Sequence, residues 1–179
     1  MLEKVRSYLM LISFVVIAGL LGFYLYVLAK GDDLPFGSKK GALQPASFET
    51  INYKLGDDGF LLCPITLCKI ADPDGDAEVF NLTPGKLRQV IADYSDYNPS
   101  VTLHNFDFGK NQFDFLERSP GETFPTVIAV RILNVAGTPY SSALAIFVSK
   151  PVGSRLKEKH AARADRWLAQ LHDLAKDQR

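Results

Sequence analysis

The sequence predicts an α+β protein: a transmembrane helix at the N-terminus, then a small domain with a four-stranded antiparallel meander flanked by two helices. Three observations carry that expectation. The run from Tyr8 to Ala29 holds no charged residue. Leu87, Val90, Ile91 and Tyr94 recur at helical spacing, which puts them on one inward face. After Asn98-Pro99 the apolar period shortens from about 3.6 residues to about 2, as strands require. The expected organisation is an anchor over 1–30, a linker over 31–59 and a soluble domain over 60–179.

The uncharged run, YLMLISFVVIAGLLGFYLYVLA, makes a helix about 33 Å long, enough for a hydrocarbon core of about 30 Å. Tyr8 at one end, with Tyr24 and Tyr26 toward the other, suits the interfacial belts where amphipathic rings settle. Val27-Leu28-Ala29 also reads as a signal-peptide cleavage site. The apolar run exceeds the roughly 7–15 residues of a signal peptide core, which favours a retained anchor. Lys4 and Arg6 on one flank nearly balance Lys30, Lys39 and Lys40 on the other. The very short N-terminal tail favours N-in, C-out, placing the domain on the periplasmic side of a bacterial inner membrane. Ala18 and Gly22 form a small-xxx-small pair suited to the close approach of another helix, although such pairs also arise by composition alone.

Residues 31–59 are rich in Gly and poor in periodic apolar positions, so they read as a linker that wraps over the domain without a core of its own. Phe60-Leu61-Leu62 is a short buried strand. Thr83 caps a helix with Pro84 at its first position. Val101, Leu103 and Phe106 mark a strand, Gly109-Lys110-Asn111 a turn, and Phe113 with Phe115 the returning strand. Thr126 to Val135 is a central strand; Ala136-Gly137-Thr138-Pro139 turns the chain, and Tyr140 to Ser149 pairs back. Ser154 caps a last helix with Leu156, Ala164, Trp167, Leu168, Leu171 and Ala175 as its inner stripe.

With 20 basic and 20 acidic residues the chain lacks the basic excess of a nucleic-acid binder. Its two cysteines, Cys63 and Cys68, lie in C-P-I-T-L-C. That spacing permits a small disulfide loop in an oxidising compartment; two buried thiols, or metal or redox work, are the other readings. Asp72, Asp74 and Asp76 resemble the start of a calcium loop, but Gly75 comes a place early and Thr83 stands where the bidentate Glu belongs. A solvated acidic turn is the expectation there. His104, His160 and His172 are scattered, and no hydrolase, phosphate-loop or dinucleotide motif occurs. No catalytic residue, metal or cofactor is therefore predicted.

Lys150, Arg155, Lys157, Lys159, Arg163 and Arg166 cluster around the start of the last helix, partly offset by Glu158 and Asp165. Such a patch attracts phosphate, lipid headgroups or an acidic partner; a solvated face is the competing reading. Cations at a helix start oppose the helix dipole, which keeps the binding reading open.

The stretch from Phe115 to Leu171 resembles the family catalogued as domain of unknown function 1499, whose proteobacterial members often carry an N-terminal hydrophobic segment. The resemblance rests on Glu117-Arg118-Ser119, Phe124-Pro125, Ser142-Ala143-Leu144-Ala145-Ile146-Phe147, Gly153, Arg163 and Arg166-Trp167-Leu168. It extends weakly to Phe60-Leu61-Leu62 and the helix near Leu87. The family's polar cluster at the last helix is not kept. Ser149-Lys150-Pro151 covers a Ser/Arg stretch, and Leu156, Glu158 and His160 replace the usual Asp, Gly and Asn. A retained fold with a rewritten polar site implies interaction over catalysis, and the implied kinship is one of fold, not mechanism.

The expectation for function is a membrane-anchored, non-catalytic accessory subunit that docks on a larger membrane protein complex. Its first surfaces to examine are the basic stretch and the aromatic strands around Phe106–Phe115. The alternative is a lipid or small apolar ligand carrier in the cell envelope, its pocket lined by some of the 12 phenylalanines.

Overall fold

The computed structural model describes Pro45–Gln178 apart from Thr123 and residues 151–155, together with Ser13, Val16, Ile17, Gly19 and Leu21 of the N-terminal segment. The chain divides into two units, Met1–Gln44 and Pro45–Arg179. In the first unit the five described residues are helical. Most of the predicted anchor, including Ala18 and Gly22, lies outside the described residues, as do Arg155 and the predicted cap Ser154. Among the described residues no helix is long and apolar enough to cross a membrane.

The second unit runs β1 (Phe60–Leu62), β2 (Glu78–Phe80), α1 (Pro84–Tyr97), β3 (Val101–Asp107), β4 (Gln112–Glu117), β5 (Thr126–Asn134), β6 (Ser142–Ser149) and α2 (Lys157–Lys176). It is an α+β unit with an antiparallel sheet and two helices, as expected. The sheet has six strands where four were predicted, because β1 and β2 both pair antiparallel with β6. They take different halves of it: Leu61 opposes Phe147, and Val79 opposes Ala143. Three-residue strands leave little alternating pattern to read, so β2 escaped the sequence.

The expected hairpins form. Asn111 takes a left-handed φ of 50° between β3 and β4, and Gly137 a φ of 78° between β5 and β6. Asn and Gly are the residues that accept that conformation cheaply. Thr83 accepts a hydrogen bond from the Lys86 N–H and caps α1. The start of α2 departs from expectation: Leu156 is its N-cap, without a side-chain cap, and is half exposed rather than part of the inner stripe.

Strand alternation sorts the core into two faces. Phe113 and Phe115 of β4, Ile128, Val130 and Ile132 of β5, and Leu144, Ile146 and Val148 of β6 face the helices. They meet Leu87, Val90, Ile91 and Tyr94 of α1 and Ala164, Trp167, Leu168 and Leu171 of α2. Trp167 is fully buried, with ring centroids 4.3 Å from Tyr94 and 5.3 Å from Phe115. Phe113 and Phe115 are thus core, which corrects their expected role as a docking surface.

The opposite face is covered too. Ala129 and Ala145 pack with Phe48, Tyr53, Leu61, Cys63 and Cys68. Phe48 is wholly buried and Tyr53 nearly so, and both lie in the segment predicted as linker. The compact unit therefore begins at Pro45, not Phe60. The aromatic rings at 48 and 53 in an otherwise Gly-rich stretch were the available signal. Small residues on this face of β5 and β6 leave room for that cover.

Candidate functional site

The sheet's alternation carries Glu117, at the end of β4, onto the same face as Phe113 and Phe115, and Thr126 opposite it at the start of β5. A carboxylate delivered to the core side of a sheet must be compensated. Glu117 is 3% exposed, and α2 supplies its partners. Trp167 Nε1–H donates to Oε2 at 2.7 Å. Arg166 Nη2 donates to Oε1, and Arg163 Nε stands 3.3 Å from the same oxygen. Positions 163, 166 and 167 share a helix surface because three and four residues make about one turn.

Arg163 also holds the β4–β5 connection in place. Its Nη1 donates to Thr126 Oγ1, and its Nη2 donates to Ser119 Oγ at 2.8 Å and to Glu122 Oε2 at 3.3 Å. Lys150, at the end of β6, reaches Glu122 Oε1 at 3.1 Å. Burial works to raise the Glu122 carboxyl, but Lys150 and Arg163 hold it below its ordinary value.

The structure gives four of the six predicted basic residues carboxylate partners remote in sequence. Lys150, Arg163 and Arg166 bind carboxylates of the connection and of β4, and Lys157 Nζ sits 2.5 Å from Asp74 Oδ1. Lys159 is exposed. The unfavourable meeting of cations with a helix start is offset by carboxylates remote in sequence. Sequence proximity could not reveal those partners.

Asp74 is likewise more than a solvated turn residue. Its Oδ2 accepts from Leu61 N–H at 2.9 Å and Tyr53 O–H at 2.7 Å. Burial opposes ionisation, yet Lys157, the Leu61 N–H and the Tyr53 hydroxyl together hold its carboxyl below the usual range. Desolvation and this carboxylate push the Tyr53 phenol up. Asp74 therefore joins the cover segment, β1 and α2. Cys63 and Cys68 are disulfide-bonded beside it, and of the readings left open by their spacing the bridge is the one realised. Among the described residues no three His, Cys, Asp or Glu side chains form a metal-binding group.

His160 is 2% exposed, and neither ring nitrogen has a hydrogen-bond partner. Burial, then the charge of Arg163, lowers its pKa from 6.5. It lies in the first turn of α2, where the dipole adds to the cost of a cation.

A cleft of about 240 Å³ opens where Arg166 emerges beside Glu117. Tyr94 and Pro120 form part of its walls; Asn98, Ser100, Ser119 and Gln170 supply neutral polar groups. Burial and Glu117 push the Tyr94 phenol up to about 12, so its hydroxyl stays protonated. Glu117, Tyr94, Asn98 and Gln170 were not among the predicted site residues. The legible signal was Glu117 in strand register with two phenylalanines.

Both Glu117 oxygens are engaged by guanidinium or indole donors.

No family model matches the chain, and no curated protein matches it. A crystal structure of Ara h 8.0201 is similar over 57% of this chain and 93% of that one, at 8% identity and a TM-score of 0.33. A likeness that loose says nothing about ligand or activity.

Proposed function

We propose that this protein is a membrane-tethered, non-catalytic accessory domain of the bacterial cell envelope that docks on a larger membrane protein complex from the periplasmic side of the inner membrane. The observation that carries the reading is the uncharged run Tyr8–Ala29. Within it Val16, Ile17 and Leu21 are helical and each more than half exposed. Apolar side chains displayed on a helix gain about 25 cal/mol per Å² on leaving water, and lipid provides that gain.

The disulfide supports an oxidising compartment, consistent with a periplasmic domain. Kinship with the domain of unknown function 1499 family is part of the proposal. Glu117, Ser119, Arg163, Arg166 and Trp167, which carry that resemblance, meet in one cluster although they come from separate segments. A carrier of apolar ligands has less support, because Phe80, Phe115, Leu87, Ile91 and Trp167 pack together between sheet and helices. Tethering raises the effective concentration near a membrane partner, so a modest docking contact suffices.

Alkaline carbonate extraction is expected to leave the full chain in the membrane pellet, and removal of residues 1–30 to release it. Capture in mild detergent is expected to bring a stoichiometric integral membrane protein with the full chain and to lose it on that deletion. A freely soluble full chain, recovered alone and monodisperse, is the opposite result and removes the proposal.

A further inference from the structure

We infer that the cleft beside Arg166 is a binding site for a small hydroxylated anion, whose negative group pairs with the Arg166 guanidinium and whose hydroxyls meet the neutral polar groups around it. This does not depend on the tether; it stands on the cleft alone.

The charge balance points to the sign of the ligand. Among the described residues the joined cluster contains two carboxylates, Glu117 and Glu122, and three cations, Lys150, Arg163 and Arg166. One positive charge is left over. Lys150 and Arg163 have side chains only 8% and 11% exposed, whereas Arg166 is 49% exposed. The excess charge is therefore reachable by a ligand at Arg166. Glu117 holds one end of that guanidinium in place, so its planar fork is oriented before a ligand arrives.

Size and lining point to the rest of the molecule. A water occupies about 30 Å³ in the liquid, so a cleft of about 240 Å³ is several times larger than a bare anion needs. Asn98 and Gln170 contribute amides, and Ser100 and Ser119 contribute hydroxyls. These neutral groups both donate and accept hydrogen bonds, as a polyol demands. Pro120 and the edge of the buried Tyr94 complete the lining beside these groups. A sugar acid and a glycerol phosphate share this chemistry, and the latter occurs both free and as a phospholipid headgroup.

Trp167 is the sole tryptophan, and its indole N–H is bonded to Glu117 at the cleft floor, so its fluorescence reports on the site. The full chain in neutral detergent is titrated with glucuronate and with sn-glycerol 3-phosphate, and in parallel with glucose and glycerol. Saturable changes are expected with the anions at concentrations at least tenfold below any response to the neutral compounds. Arg166→Gln is expected to weaken anion binding at least tenfold. Gln170→Leu, which leaves the Glu117 cluster untouched, is expected to weaken it several-fold, with both variants' melting curves measured alongside.

Phosphatidylglycerol added to the micelles, against phosphatidylcholine, separates the sources. Competition with the free anion assigns a headgroup, and its absence assigns a soluble ligand; the site stands in either case. No saturable response to either anion overturns the inference. So does an equal response to the neutral polyols, or unchanged binding in both folded variants.

Discussion

Glu117 concentrates the electrostatic risk of this fold in one side chain. It is almost wholly buried, and its charge is tolerated because Arg163, Arg166 and Trp167 surround it. Glu117→Gln keeps the shape and an acceptor for the indole N–H, but it strips one of two carboxylates, each 3.3 Å away, from the nearly buried Arg163. Removing one partner of a buried ion pair costs roughly 3 kcal/mol when the other is left alone, and because Glu122 still faces Arg163 the loss is expected to be about 2 kcal/mol. Arg166→Gln removes a half-exposed partner, and because solvent already screens that pair the cost is expected to stay below about 1 kcal/mol. Urea unfolding of the two variants checks this ranking, and equal losses would contradict it. The carboxylate was legible as a strand residue in register with Phe113 and Phe115. Its partners were not, since they sit some fifty positions later on α2.

At the scale of elements, the loop between β1 and β2 is held by the Cys63–Cys68 bridge, with a sequence separation of 5. Its two cysteines are fully buried against Ala129 and Ala145 on the outer face of the sheet. Closing a loop this short removes about 2 kcal/mol of chain entropy from the unfolded state. Paired Cys63→Ala and Cys68→Ala substitutions are expected to lower unfolding free energy by about that amount in denaturant titrations. An unchanged midpoint would show that loop closure is not what the bridge contributes. The spacing of the cysteines suggested this element; the fact that it shields a sheet face emerged only when β1 paired with β6 and turned Leu61 toward Ala129 and Ala145.

For the whole second unit, the ionisable groups make acid a two-stage stress. The Arg131 guanidinium holds the Glu49 carboxyl down at about 2, and Asp74 and Glu122 are also lowered. Such groups add stability above their unfolded values of 3.8 to 4.5, and that contribution is lost as pH falls toward the folded ones. His160 is lowered from 6.5, so on acidification the unfolded chain takes up this proton first and gains on the native state. Melting temperature is expected to be level above about pH 7.5, to decline from about pH 6.5, and to drop more steeply below about pH 4.5. His160→Leu should abolish the first decline and keep the second. Thermal melts at about pH 3–8 check this, and an undiminished slope between about pH 6.5 and 5 in the variant assigns the first stage to another group.

By itself the sequence determined those features whose signal is local. These are the uncharged N-terminal run, the α1 face, the β3–β4 and β5–β6 hairpins and the Trp-Leu face of α2, all written in spacing or turn chemistry. Tertiary structure decided everything that depended on a distant partner. It closed the sheet with two three-residue strands, made residues 45–53 a core layer, and turned an apparent basic patch into an internal ion-pair network with a cleft at its edge. Periodicity reports which face of an element is apolar, but a charge acquires its role only when folding brings up what neutralises it.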